Sequence, residues 1–157
     1  MSEQQQDTAK LIVGDDEIVY RMISSPAGYN EVTGVSPDCF KLFRKNESYV
    51  SVERAKYCSL DDALLNGEKI RVWFAECESF YGLASLSVKK IRLHQQLDVI
   101  SKYTDSHPGH AGIQMKLSEV QVYKNKEGEP TPMEILALQT YLSGIVEQVV
   151  KKETQLL

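Results

Sequence analysis

The chain has no long apolar run. Nowhere do its 157 residues approach the roughly 20 consecutive apolar positions that a membrane-spanning helix requires, so no membrane contact is expected. The opening "MSEQQQDTAK" lacks a basic segment followed by an apolar one; no secretory leader is expected, and the expected compartment is the cytoplasm. There is no CxxC pair. Cys39, Cys58 and Cys77 are odd in number and scattered, which argues against a disulfide framework and suits thiols packed as small apolar groups in a reducing compartment. There is no excess of cations either. Lys+Arg 18 against Asp+Glu 22 gives a net charge of −4, so no duplex nucleic-acid partner is expected, because phosphate contacts need clustered cations. A small basic pocket for one nucleotide stays compatible with that balance.

What is present is globular in composition, with 42% hydrophobic and 25% charged residues. The length suits one domain with its own core. Residues 1–9 are polar and Gln-rich and read as a loose tail. "EIVYRMI" (17–23) reads as a strand, "SSPAGYNEVTGVSPD" (24–38) as a long loop, and "CFKLF" (39–43) and "SYVSV" (48–52) as two short strands. "SLDDALLNGEK" (59–69) predicts a short helix capped by Ser59 and closed at Asn66-Gly67. "KIRVWFAEC" (69–77) then predicts a central strand holding the lone Trp73 in the core. Residues 81–94 divide into a strand and a helix capped by Ser87. "LDVISKYT" (97–104), "AGIQMKL" (111–117) and "EVQVYK" (119–124) predict late strands. The expected fold is α+β, with a mostly antiparallel or mixed sheet, short helices and one long C-terminal amphipathic helix. Its divisions are an α+β domain over 10–124, a linker over 125–131 and the helix over 132–157.

That helix has the clearest local signals. Thr131 stands at the cap, Pro132 at the first helical position, and Glu134 completes a Thr-x-x-Glu capping box. Ile135, Leu138, Leu142, Ile145 and Val149 recur at alternating spacings of three and four, an a/d-type stripe. Such a stripe buries itself on its own sheet or pairs with a second copy or a partner's groove, and Gly144 suits close helix–helix approach.

The candidate chemistry begins with "YTDSHPGHAGIQM" (103–115), which carries His107 and His110 around a Pro-Gly turn. Two such imidazoles suit a shared metal with Asp98 or Asp105, or general acid and base work on a phosphodiester. The plainer reading makes Pro108-Gly109 the turn, packs His110 on the sheet and leaves His107 solvated. No second ligand cluster supports a metal, so neither a metal nor another cofactor is expected. Separately, Arg44, Lys45, Arg54 and Lys56 lie among Tyr49 and Tyr57, a pattern that binds single strands but also describes a solvated hairpin.

The order of Arg21, Ser48 and Ser51, then Glu76 and Glu78 in "AECES", resembles the Arg, Ser-rich strand and Glu-x-Glu series of ADP-ribosyltransferase-type folds. That resemblance implies Arg21 on a pyrophosphate and the final Glu at the ribose, although "SYVSV" departs from a Ser-Thr-Ser motif. The landmarks "VYRMI", "CFKLFRKNESYVSVER", "GLASLSVKKIR" and "HPGHAGI" further resemble a group of small bacterial cytosolic proteins. Their pattern runs Tyr-Arg, Phe-Arg before a Ser-Val strand with Arg, then Asn-Pro-x-His-Ala. It covers about residues 18–115 and matches here at Arg21, Phe40, Ser51, Arg54 and His110, with His107 where Asn would stand. This resemblance implies a bacterial accessory domain whose polar matching residues surround one pocket.

The expected function is a small cytosolic binding or accessory protein in a bacterial multi-component system. It would meet a protein partner or its own copy through Ile135, Leu138, Leu142, Ile145 and Val149. The alternative is an enzyme acting on a nucleotide or nucleic acid, ADP-ribosyltransferase-like or His-dependent, with candidates Arg21, Arg54, Glu76, Glu78 and His110.

Overall fold

A computed structural model describes residues 10–25, 28–41, 49–73, 79–116 and 132–152. In chain order these form β1 (Ile18–Ser25), β2 (Tyr29–Asn30), β3 (Gly34–Val35), a 3-10 turn (Pro37–Phe40), β4 (Tyr49–Arg54) and α1 (Leu60–Trp73). There follow β5 (Ser79–Ser87), α2 (Val88–Arg92), β6 (Leu97–Ser101), β7 (His110–Met115), α3 (Pro132–Gly144) and β8 (Gln148–Lys151). Six strands form one sheet in the order β6-β7-β4-β1-β5-β8, every neighbour antiparallel. The α+β expectation with a mostly antiparallel sheet is therefore met, and β2 with β3 forms a separate small hairpin.

Side chains alternate across a strand, so the sheet sorts its residues by parity. One face carries Val19 and Ile23 of β1, Val50 and Val52 of β4, Ala84 and Leu86 of β5, and Ala111 and Ile113 of β7. These pack under Val88 and Ile91 of α2, Cys39 and Phe40 of the 3-10 turn, and Leu138 and Leu142 of α3. The opposite face carries Tyr20, Met22, Phe80 and Leu83, which meet Ala63 and Leu64 of α1. Ser87 caps α2, its hydroxyl accepting from the Lys90 N–H at 3.4 Å.

Three expectations need correction. The helix that begins after Ser59 does not stop at Asn66-Gly67; it runs to Trp73, so the strand expected over 69–77 is helical through 73, and 74–77 lie outside the described residues. Gly67 is a packing requirement rather than a stop: a Cβ there would overlap the Phe80 ring of β5. "CFKLF" is not a strand where it is described, because residues 37–40 close a 3-10 turn. Ser36 caps that turn, accepting the Asp38 N–H at 3.2 Å. Residues 42–43 lie outside the described part, as do the tail 1–9, the linker 125–131 with Thr131, and "EVQVYK".

The third correction concerns the long C-terminal amphipathic helix. α3 spans 13 residues and ends at Gly144, after which the chain turns back as β8 on the edge of β5. Glycine favours the break by about 1 kcal/mol relative to alanine, and the β-branched pair Val149 and Val150 finds an open strand edge on β5. Gly82 on β5 makes the docking possible, since a Cβ there would collide with the Val150 carbonyl. The spacing of three and four thus continues across an element boundary by coincidence of parity: Ile145 lies in the turn and Val149 on β8 opposite Ala84.

Candidate functional site

The polar site is built on β4. Its "YVSVER" alternates half-buried and buried positions, so Val50, Val52 and Arg54 enter the core while Tyr49, Ser51 and Glu53 stand on the α1 face. β7 pairs with β4 in a register that sets His110 opposite Glu53 and Gly112 opposite Ser51. His110 therefore rises on the same face, and its Nε2 lies 2.9 Å from the Ser51 Oγ. The loop before it folds over through tight turns: the His107 N–H donates to the Thr104 carbonyl and hydroxyl, both at 3.1 Å. Gly109 lets the loop press on β4, its carbonyl accepting from the Arg54 N–H at 2.8 Å. A Cβ at Gly109 would meet the Glu53 Oε2 at 3.0 Å.

This fold-over stacks the His107 ring on His110, with centroids 5.2 Å apart and planes at 22°. The His107 Nε2 meets the Glu53 Oε1 in a hydrogen-bonded pair. The other carboxylate oxygen of Glu53 is buried and has no hydrogen-bond partner among the described residues. Burial pushes the Glu53 carboxyl above its ordinary range, and His107 offsets part of that. Burial together with the Glu53 and Asp62 carboxylates pushes the Cys58 thiol up to about 11, so it stays protonated near neutrality and is no nucleophile.

Tyr49 packs against Gly112, where a Cβ would come within 2.7 Å of its ring. Its ring stands 6.0 Å from His110 at 60°, and the Lys102 Nζ lies 4.6 Å from the Tyr49 centroid. A cleft of about 40 Å³ opens between this group and α1, with Tyr20, Met22, Ala63 and Leu83 as apolar walls and Ser51, Glu53, Asn66 and His107 as polar ones. A water needs on the order of 10–15 Å³ of such space, so the cleft holds a few waters and not a nucleotide base. Tyr49, Ser51 and His110 are half-buried on the same face of the sheet, with Ser51 shared between that strip and the cleft.

The two arginines belong to the other face. Arg21 shares the parity of Val19 and Ile23; its Nε donates to the Cys39 carbonyl at 2.8 Å and its Nη1 to the Ser51 carbonyl at 2.9 Å. Arg54 is 0% exposed. Its Nε and Nη2 grip both oxygens of Glu17 at 2.7 and 2.8 Å, and it also donates to the carbonyls of Lys10 and Ile12. Arg21, Arg54 and His110 therefore do not converge, because the sheet separates them. Glu76 and Glu78 lie outside the described residues, as do Arg44, Lys45 and Ser48. Leu138 and Leu142 are fully in the chain's own core, and Ile135, Ile145 and Val149 pack partly buried against it.

Asp105 accepts from the Tyr103 hydroxyl and Asp98 from Arg92, and among the described residues no group of three His, Cys, Asp or Glu is placed to hold a metal. No helix of the described residues is long and apolar enough to cross a membrane. Glu53 is the site residue that sequence reasoning passes over, while Tyr49 enters it only as an aromatic among the basic residues around β4. The alternation Tyr-x-Ser-x-Glu signals one polar face, but the register that puts it beside His110 is a property of the sheet. No family model, curated protein or solved structure matches the chain.

Proposed function

We propose that the protein is an enzyme acting on the phosphodiester of a nucleotide or nucleic acid, with His110 and His107 as general base and general acid. The observation that carries this reading is the pair of stacked imidazoles held at Nε2 by different partners, His110 by a hydroxyl and His107 by a carboxylate. Acid–base catalysis needs one group to take a proton while another gives one, and two imidazoles side by side on one face supply a group for each role. His110 takes the proton of the attacking hydroxyl as the P–O bond forms. His107, oriented by Glu53, gives its proton to the leaving oxygen. The test is turnover of a panel of nucleotides and oligonucleotides across pH. His107→Ala and His110→Ala are each expected to lower kcat about 10²-fold or more, with little change in melting temperature. Turnover that survives both substitutions, or none across the panel, refutes the reading.

A second reading, a bacterial cytoplasmic accessory protein working through protein contacts, is favoured by the outer side of α3. Met133 is 81% and Leu136 54% exposed while the inner side is seated in the core. A helix apolar on two sides suits a covered position, here under a protein partner or a second copy.

A further inference from the structure

We propose that Ser51 is the nucleophile of this site and forms a covalent phosphoseryl diester. The proposal rests on the acid–base reading above and deepens it by naming the attacking hydroxyl, for which water and a hydroxyl of the substrate are the rivals. Ser51 stands mid-strand on β4, half-buried and facing outward, with its Oγ 2.9 Å from the His110 Nε2. That is the separation at which a base abstracts a hydroxyl proton. A serine hydroxyl is a weak nucleophile unless a base sits at this distance, and the base in turn needs an orienting neighbour. Here the His107 ring supplies it by stacking at 5.2 Å, and His107 is itself tied to Glu53. Gly112, cross-strand from Ser51, presents no side chain of its own. The space it leaves is taken by the Tyr49 ring, which walls the approach on that side.

The step balances without an added oxidant or metal. The Ser51 oxygen attacks phosphorus as His110 takes its proton, and the bond from phosphorus to the leaving oxygen breaks as His107 delivers a proton to that oxygen. The product is a Ser51 phosphodiester and a free alcohol. Water then attacks phosphorus, giving its proton to the now neutral His107, while His110 returns its proton to the departing Ser51 oxygen. The enzyme ends as it began, and one phosphodiester and one water have become a phosphomonoester and an alcohol.

The experiment uses the full chain with bis(4-nitrophenyl) phosphate, whose leaving group needs no general acid. A burst of about one nitrophenolate per chain is expected, and acid quench followed by tandem mass spectrometry should place the aryl phosphate on Ser51. Ser51→Ala should abolish burst and adduct, and His110→Ala should slow the burst about 10²-fold. His107→Ala should slow the burst with this activated probe less than His110→Ala does, through loss of the stacking that orients His110, and should fail on an unactivated dinucleotide. No burst and no adduct in the wild type, with nucleotide turnover still dependent on both histidines, overturns the Ser51 proposal and leaves the acid–base reading standing. No turnover of any phosphodiester removes both. Circular dichroism of Ser51→Ala and the conservative Ser51→Thr guards against misfolding. In Ser51→Thr, an adduct formed on the replacement hydroxyl at a reduced rate supports the proposal, and full turnover by Ser51→Ala defeats it.

Discussion

Replacing Arg54 with methionine is expected to cost about 3–5 kcal/mol, the usual consequence of removing one partner from a buried ion pair. Its Glu17 partner has a side chain only 7% exposed, so the carboxylate cannot recover its lost hydrogen bonds from solvent. The same substitution removes the Arg54 hydrogen bonds to the Lys10 and Ile12 carbonyls, which tie residues 10–17 to β4, and leaves the Lys10 carbonyl with the Ser101 hydroxyl at 2.9 Å. At about 2–4 °C per kcal/mol for a chain of this size, the melting temperature should fall by about 6–20 °C. Urea denaturation at pH 7 measures the loss, and faster amide exchange at Ile12 and Val13 reports release of the segment.

The pH dependence carries a sign that structure alone predicts. Burial raises the Glu17 carboxyl, but hydrogen bonds from Arg54 and the Gly14 N–H and the charges of Arg54 and Lys56 outweigh it, leaving the carboxyl below its ordinary range. A group depressed in the folded state stabilises above its unfolded pKa and loses that contribution as pH falls through the folded value. In Arg54→Met the clasp is gone while burial persists, so the carboxyl moves up and a proton relieves the orphaned charge. The stability gap between wild type and variant should therefore narrow on acidification from pH 7 to about 3. A gap under about 1 kcal/mol, or one indifferent to pH, refutes the role of Arg54 as a structural clasp and makes it a site residue again.

Leu142→Ala should cost about 2–5 kcal/mol by denaturation, since Leu142 is fully buried, while light scattering shows no change of association state. A stable variant that changes its assembly would instead make the stripe an interface. Gly67→Val should destabilise by about 1–3 kcal/mol despite removing a poor helix former, because the new side chain overlaps Phe80. Phe80→Leu in the same chain should restore part of the loss, and failure to do so would put the cause elsewhere in α1.

Much of the fold is legible without coordinates because its signals are local. The patterns at 17–23 and 97–104 report strands, although the second of these ends at Ser101, and a serine before "VKKIR" reports a cap, since pleat geometry and unpaired N–H groups act within a few residues. Gly67 misleads for the opposite reason. A glycine that ends a helix and a glycine that admits a phenylalanine ring are the same letter, and only the arrival of β5 distinguishes them. The C-terminal stripe misleads similarly, because spacings of three and four preserve facing across a helix-to-strand junction when both elements cover one core.

The order of the amino acids is enough to set the class of the protein: an α+β chain of mild acidity, with Tyr49, Ser51 and Glu53 alternating along one strand and two histidines around one turn. Which of these side chains meet is a matter of strand order and register. Both are set by pairing between residues distant in the chain, and a shift of one residue sends a side chain to the opposite face. That parity places half-buried Arg21 and fully buried Arg54 on the core face and His110 on the other face, where it joins Ser51 and Glu53.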